Sequence, residues 1–280
     1  MQTQPDAKTF VIGHPITHSR SPQIHAYWLR KHGLRARYDA YDVAPEDLRA
    51  FFDEIRAGAF LGGNVTLPHK ETAAALCDDL SEDASLIGAA NTITFKPDTG
   101  RIHGHNSDLY GFLANLDQNA PGWEKPERPA LILGAGGAAR AVIAALYRRN
   151  FKKIQVLNRT VGRASDIKGP WQDKVSIHGL AEFDKLATDA AFLVNTTSIG
   201  LHGTRFDGLG LQILPPDALV ADIVYAPPVT PLLRDAAALG LRTQDGVGML
   251  LHQAVPGFEA WHGIRPEVTA DMRTLVTGAL

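Results

Sequence analysis

The stretch Leu131-Ile132-Leu133-Gly134-Ala135-Gly136-Gly137-Ala138-Ala139-Arg140 decides the fold of this chain. An apolar strand is predicted to end in a glycine turn, and an alanine-rich helix is expected after it, over Ala138–Arg149. Glycines allow a tight turn and close backbone approach, and a helix N-terminus offers free N–H groups to an anion. In this order they suit a dinucleotide pyrophosphate, with Ala139 at the third glycine position. Gly134, Ala135, Gly136, Gly137 and Ala138 are therefore candidate phosphate-cradling positions. The next strand, Lys153–Leu157, runs into Asn158-Arg159-Thr160. This is roughly twenty residues past the turn, where an NAD site carries an acid for the ribose 2′-hydroxyl. Here an arginine stands instead. Arg159 offers fork-like donors to a phosphate, Asn158 and Thr160 can donate as well, and Arg163 adds positive field. The pattern favours NADP over NAD.

Working outward, Leu131–Leu133, Ile154–Leu157, Phe192–Val194 and Leu219–Val224 are continuous apolar runs. Such runs suit a parallel sheet covered by helices on both faces. A helix is predicted over Thr230–Leu239, stopped by Gly240, and the proline-rich segment Asn119–Pro129 reads as a loop into this domain. The first hundred residues also alternate. A strand is expected at Thr9–Ile12. Ser21 is read as an N-cap with Pro22 at N1, and Ile24, Tyr27, Trp28 and Lys31 share one face before Gly33. A strand at Arg37–Val43 precedes a helix opened by Pro45, with Leu48, Phe51, Phe52 and Ile55 as its apolar stripe. Gly63–Leu67 is a strand stopped by Pro68. A helix is predicted from Lys70 to Leu80, then a hairpin of Asn91–Phe95 and Arg101–Gly104, then a helix over Ser107–Leu116. Two tail helices, Val247–Ala260 and Pro266–Leu275, are expected to return to the first domain. The fold class is α/β with two domains. An α/β substrate-binding and catalytic domain takes residues 1–110 and 246–280. A Rossmann-type parallel-sheet domain for NADP takes 111–245.

Composition narrows the class of function. The 280 residues carry a net charge of -2 with the signs well mixed, so no basic stripe marks a nucleic-acid binder. The single cysteine, Cys77, forms no internal disulfide and reads as a small core hydrophobe, which suits a reducing compartment. No leader-like apolar segment and no long apolar run are visible. A soluble cytoplasmic protein without a membrane partner is expected, as a monomer or homodimer. His103 and His105 share a strand face but lack a third ligand at suitable spacing, so no metal is expected. His14, His18 and His69 lie in polar segments and receive no role.

Three polar clusters fall where strands hand over to helices. They are His18-Ser19-Arg20-Ser21-Pro22, then Asn64-Val65-Thr66-Leu67-Pro68-His69-Lys70, then Asn91-Thr92 with Asn106-Ser107-Asp108. Ligands of open α/β sheets sit outside the carboxyl ends of the strands. Two serine hydroxyls can hold a carboxylate, and Lys70 with Asp108 can grip a reacting hydroxyl and exchange its proton. Taken singly, each has a plainer reading: Ser21 as a helix cap, Asp108 as a helix-start charge, Lys70 as a solvated lysine, Asn64 and Asn91 as turn ties. Spacing alone leaves the substrate unnamed.

These motifs together resemble the shikimate dehydrogenase family, over nearly the whole chain. Further segments carry the likeness: Asn195-Thr196-Thr197-Ser198-Ile199-Gly200, Asp222-Ile223-Val224-Tyr225 with Pro227 and Thr230, and Asp245-Gly246-Val247-Gly248-Met249-Leu250 with Gln253. The resemblance implies NADP-dependent interconversion of 3-dehydroshikimate and shikimate, a step of aromatic amino acid (chorismate) biosynthesis. It implies Lys70 and Asp108 as catalytic residues. Ser19, Ser21, Asn64, Thr66, Asn91, Tyr225 and Gln253 are implied as substrate contacts. Thr196, Thr197, Ser198 and Gly248 join the glycine turn and Asn158, Arg159, Thr160 and Arg163 as cofactor contacts. Two alternatives stay open: a quinate/shikimate dehydrogenase of broad specificity, and an NADP-binding regulatory protein without turnover.

Overall fold

The computed structural model describes residues 7–164, 167 and 171–278, and the side chains of Arg163 and Ala164 lie outside the described residues. The chain forms two compact units. One runs up to Ser107 and adds Gln253–Gly278; the other is Asp108–His252.

The first unit is built from β1 (Ala7–Gly13), α1 (Ser21–Lys31), β2 (Ala36–Asp42), α2 (Leu48–Arg56), β3 (Gly62–Val65), α3 (Lys70–Leu76), β4 (Asp79–Leu80), α4 (Glu82–Ile87), β5 (Thr92–Lys96) and β6 (Arg101–His105). Its sheet has the order β2-β1-β3-β5-β6-β4. The β1 strand is parallel to both neighbours, while β3, β5 and β6 pair antiparallel. Phe10, Phe51, Phe52, Ile55, Ile93 and Ile102 fill one core, with the Phe10 and Phe51 rings edge-on at 5.0 Å. The expected stripe of α2 is buried throughout.

The second unit follows with α5 (Asp108–Asn119), β7 (Ala130–Leu133), α6 (Gly137–Arg148), β8 (Ile154–Asn158), α7 (Val161–Ala164), β9 (Val175–Gly179), α8 (Phe183–Ala187), β10 (Phe192–Asn195), β11 (Ile199–His202), β12 (Leu219–Asp222), α9 (Pro231–Ala238), β13 (Arg242–Gln244) and α10 (Val247–His252). Its six-stranded sheet, β13-β12-β10-β7-β8-β9, is parallel throughout. The strand order reverses between β7 and β10, which is where such sheets bind ligands. The fully buried residues of β7, β10 and β12 explain their unbroken apolar sequence. The chain then returns to the first unit with α11 (Ala254–His262) and α12 (Ala270–Thr277). Trp28 donates its indole N–H to the Glu267 carbonyl, and Trp261 donates to that of Ile93. These bonds tie the tail to α1 and β5. Among the described residues no helix is long and apolar enough to cross a membrane.

Five sequence expectations need correction. Ser21 is the first helical residue of α1 rather than its cap. Arg20 already has helical dihedrals, and its carbonyl accepts from Gln23 and Ile24. Lys31 is exposed, and the buried face of α1 is Ser21, Ile24, His25, Trp28 and Leu29. The helix from Lys70 stops at Leu76, because Cys77 turns extended and Asp78 is captured from outside. The Asp78 carboxylate accepts from the Ile102 N–H at 2.7 Å and from Arg56 at 2.6 Å, so Leu80 joins a strand. The tail helix expected over Val247–Ala260 is two helices that part at Gln253. Pro256 has no N–H to donate to the His252 carbonyl one turn back, so an unbroken helix is disfavoured there. The final helix starts at Ala270 rather than Pro266.

The buried face of α1 carries one costly group. The His25 ring stacks on Tyr38, centroids 3.9 Å apart and planes within 2°. It also meets Trp28, Phe258 and Trp261, and neither of its nitrogens has a hydrogen-bond partner. Burial, together with His262 nearby, lowers its pKa from 6.5 to about 3. The unfolded chain therefore binds a proton at His25 below pH 6.5 that the folded chain refuses until about pH 3. This residue leaves stability untouched above pH 6.5 and erodes it progressively as pH falls towards 3. Urea unfolding across that range is expected to show His25→Phe losing less stability in acid than the wild type; parallel curves would contradict the assignment.

Candidate active site

In the first unit Ser19, Ser21, Asn64, Thr66 and Asn91 lie at or next to the carboxyl ends of β1 and β3. Because α1 begins one residue earlier than expected, at Ser21 itself, the Ser21 hydroxyl is not the helix cap and lies buried against the Tyr38 phenol. Ser19 is half-buried beside it, with its oxygen 3.4 Å from the Ser21 N–H. Tyr38 donates to Asn64 Oδ1 at 2.6 Å. The Asn64 amide nitrogen donates in turn to the Asn91 carbonyl at 3.1 Å and to Thr92 Oγ1 at 3.2 Å. Asn91 Oδ1 accepts from Thr92 Oγ1 at 3.0 Å, Ser107 N–H at 2.8 Å and Ser107 Oγ at 3.1 Å. A continuous buried chain thus links Ser21, Tyr38, Asn64, Thr92, Asn91 and Ser107. Burial pushes the Tyr38 phenol well above its ordinary pKa, so it remains a donor.

Sequence reading brought Asn64 and Asn91 into the site but passed over Tyr38. One signal was available: an Asn inside a short apolar strand needs internal partners, and a buried tyrosine needs one for its hydroxyl. Both ends of the Asn64 amide are committed to protein groups, which makes it a fixed strut of the site wall.

Thr66 is half-buried just past β3, its N–H bonded to the Ile12 carbonyl at 2.8 Å. A Cβ on Gly13 would stand 2.5 Å from the Thr66 methyl, so that close approach needs a glycine. Lys70 opens α3 and is half-buried; its carbonyl accepts from the Ala90 N–H at 2.9 Å. His69 before it is buried and donates from Nε2 to the Val43 carbonyl at 2.7 Å, a structural bond. Gln253 is half-buried at the head of the returning segment.

In the second unit Asp108 is half-buried at the first position of α5. Gly134 ends β7 with φ +101°, and a Cβ there would lie 2.5 Å from the Thr197 methyl and 3.1 Å from Thr196 Oγ1. Thr196 is held by its own hydroxyl, which donates to the Leu133 carbonyl at 2.8 Å. Gly136 and Gly137 differ, because a Cβ on either meets nothing within 4 Å. Gly136 precedes the first turn of α6, which no side chain caps. The glycine turn with Ala135 and Ala138 therefore presents helix N-terminal donors to open space, and a pyrophosphate fits there. Past β8, Arg159 and Thr160 are exposed, while Asn158 donates to the Thr160 carbonyl at 2.9 Å. This surface arginine is free of the constraints of a core and suits the 2′-phosphate of NADP. The Arg163 side chain lies outside the described residues. Ser198 is exposed, Thr197 and Tyr225 are half-buried. Gly248 is buried, and a Cβ on it would stand 1.9 Å from Asn115 Oδ1, so helix packing of α10 on α5 already demands glycine. Among the described residues no group of three or more His, Cys, Asp or Glu is arranged to hold a metal ion.

Three segments match protein families: residues 11–93 the shikimate dehydrogenase substrate binding domain, 120–202 shikimate / quinate 5-dehydrogenase, and 246–276 the shikimate 5′-dehydrogenase C-terminal domain. The chain is 50% identical to a shikimate dehydrogenase (NADP(+)) of Mesorhizobium japonicum, covering 98% of this chain and 96% of that one. It belongs to the shikimate dehydrogenase family. The fold agrees with family structures. Shikimate 5-dehydrogenase of Thermus thermophilus, solved with NADP(H) and shikimate, superposes with a TM-score of 0.85 at 37% identity, over 98% of this chain and 100% of the other. Quinate dehydrogenase of Corynebacterium glutamicum, solved with NAD, gives 0.88 at 29% identity, over 98% and 99%. These two structures share this scaffold, one holding NADP(H) and shikimate and the other NAD.

The two kinds of glycine in the turn separate by experiment. Gly134→Ala forces a side chain into the Thr197 methyl at a left-handed φ and is expected to cost about 1–3 kcal/mol of stability. Gly136→Ala is expected to leave stability within about 0.5 kcal/mol, yet to weaken NADP+ binding, because its methyl occupies the space left for phosphate. Urea unfolding paired with calorimetric titration checks both; equal stability losses would contradict this division.

Proposed function

We propose that the protein catalyses the reversible, NADPH-dependent reduction of 3-dehydroshikimate to shikimate. The observation that carries this reading is the buried chain from Ser21 through Tyr38 and Asn64 to Asn91, in the unit whose helix α3 opens with Lys70. It is a rigid polar wall suited to a small acid bearing several hydroxyls. The likeness to NADP(+)-dependent relatives over nearly the full length supports it.

Ser19 and Ser21 hold the substrate carboxylate through their hydroxyls. Asn64, Thr66, Asn91, Tyr225 and Gln253 define the positions of the ring hydroxyls. NADPH, when bound, supplies the hydride, and with one proton the ketone becomes the secondary alcohol. As the carbonyl carbon is reduced, negative charge grows on its oxygen. The Lys70 ammonium stabilises that charge and delivers the proton; in the oxidative direction the amine takes it back. Asp108 accepts a hydrogen bond from the reacting hydroxyl and orients it. Thr196, Thr197, Ser198 and Gly248 would hold the cofactor on its nicotinamide side. The first turn of α6 would hold the pyrophosphate, and Asn158, Arg159, Thr160 and Arg163 would hold the 2′-phosphate. Both serines and Thr66 favour shikimate over quinate, whose ring bears an added hydroxyl.

The direct test is steady-state turnover of shikimate and quinate with NADP+ and NAD+. The expected result is a kcat/KM highest for shikimate with NADP+; comparable efficiency on quinate would make this a broad-specificity enzyme, and no turnover of either would refute the reading.

Lys70→Ala is expected to lower kcat by about 10²–10⁴-fold, the usual worth of positioned proton transfer, with a smaller change in KM. Near wild-type kcat in that variant would remove Lys70 from the mechanism.

Arg159→Ala is expected to raise KM for NADP+ by about 10–100-fold, as the loss of charged hydrogen bonds implies. KM for NAD+ should barely move. Equal changes for both cofactors would exclude a 2′-phosphate contact.

A further inference from the structure

At the carboxyl end of β12 one carboxylate gathers an unusual number of donors. Asp222 is 2% exposed. Its Oδ1 accepts from the Asn195 amide and from the Val224 N–H, both at 2.9 Å. Its Oδ2 accepts from the Thr230 hydroxyl at 2.7 Å. Each donor begins a different piece of the rim. Val224 leads to Tyr225. Thr230 caps α9, its oxygen 3.4 Å from the Leu233 N–H. Asn195 organises the loop to Gly200. Its amide nitrogen also donates to the Ile199 carbonyl at 2.7 Å, and its Oδ1 accepts from the Thr197 N–H at 2.9 Å and the Thr197 hydroxyl at 2.8 Å. Thr197 Oγ1 in turn accepts from the Ile199 N–H at 3.0 Å.

The direction of these bonds matters. An ionised carboxylate only accepts. Facing Asp222, Asn195 must present its nitrogen inward, which turns its oxygen towards Thr197. That orientation fixes Thr197 against Gly134, whose missing Cβ leaves room for the Thr197 methyl. Gly200, at φ +117°, completes the arrangement, because a Cβ there would lie 3.2 Å from Thr230 Cγ2 and 3.5 Å from Asp222 Oδ2.

We propose that Asp222 is a positioning residue for cofactor binding: through Asn195 and Thr230 its carboxylate sets the conformation of the Thr196–Ser198 loop that closes on the glycine turn. The inference rests on the cofactor roles proposed above for that loop. Asp222 touches no ligand itself and acts through its neighbours.

Burial pushes Asp222 up to about 6, while Thr230, Val224 and Asn195 draw it back. None of these three titrates. Of the charged groups on adjoining elements, Asp245 beyond β13 accepts from the Val247 N–H, Asp235 on α9 pairs with Arg205, and Arg234 is exposed. Protonation of Asp222 near pH 6 therefore removes an acceptor site and loosens the orientation of Asn195.

The test is calorimetric binding of NADP+ to the full chain, wild type and Asp222→Asn, between pH 5 and 8. At pH 8 the variant is expected to bind about tenfold more weakly, the worth of a hydrogen bond to a charged group. As pH falls below 6 the ratio of the two dissociation constants is expected to shrink towards one, because the wild type loses the same acceptor. Taking the ratio cancels titration of the 2′-phosphate, which both proteins share. A ratio near one at every pH, or a raised ratio that does not change with pH, overturns the proposal. Thr230 supplies a second route should Asp222→Asn fold poorly: Thr230→Val is expected to weaken NADP+ binding several-fold, and Thr230→Ser, which keeps the donor, to restore it. Equal binding by the two Thr230 variants counts against the proposal. A wild type that binds no NADP+ at any pH refutes the cofactor reading, and this inference falls with it.

Discussion

A buried polar side chain must find all its partners inside the protein, and in this structure that requirement shapes the site walls. Asn64 stands between Gly63 and Val65 in a fully buried strand. Left unpaired, such an amide would cost more than a made hydrogen bond returns. Its partners are Tyr38 of β2, Thr92 of β5 and the Asn91 carbonyl just before β5. The register makes this feasible. Thr9 of β1 pairs with Tyr38, and Val11 with Asn64, so the tyrosine reaches across the intervening strand. Meeting the needs of one amide thereby fixes the relative positions of α1, β2, β3 and β5, the elements that carry the substrate-side residues.

The second unit uses a similar device with a carboxylate. Asn195 and Asp222 end adjacent parallel strands and stand opposite one another in register. Between them they satisfy groups on every segment that leaves the sheet at that point. Neither hub relies on flexible ion pairs. The described salt bridges of this protein lie mainly at the surface, such as Lys125 and Arg128 with Asp217, where they contribute little to site geometry. Precision at the rim comes from neutral donors placed by strand register.

Sequence reading succeeded where the pattern is local. The apolar strand, glycine turn and alanine-rich helix around Gly134 appear with boundaries shifted by one residue, because each signal sits within a few positions of the next. It failed where a distant group decides. Leu80 continues the apolar spacing of α3, yet Asp78 is taken by Arg56 and by the Ile102 N–H, and the helix ends. The apolar periodicity of Val247–Ala260 runs on across Gln253, but Pro256 prevents one helix from spanning it. The edge strand β9 was missed because only Val175 in it is buried. Lys70, Asp108, Asn64 and Asn91 were named from their clusters and a family likeness; the link through Tyr38 depends on strand register, which no local window contains.

These differences in anchoring imply different freedoms to change. Asn64 and Asp222 each serve several elements, so replacing either perturbs fold and site together. Arg159 stands exposed after β8, and Gly136 borders open space. Substitution at either has little consequence for packing. The segment past β8 is therefore separable from the construction of the sheet, whereas the wall around Asn64 is part of the core. A scaffold organised in this way can vary the exposed residues at the end of β8 without disturbing its core. Ser21, by contrast, cannot change alone, because its hydroxyl lies against the phenol that holds Asn64. The segment past β8 is thus the more easily varied part of this architecture, and the wall built on Tyr38 and Asn64 the more constrained one.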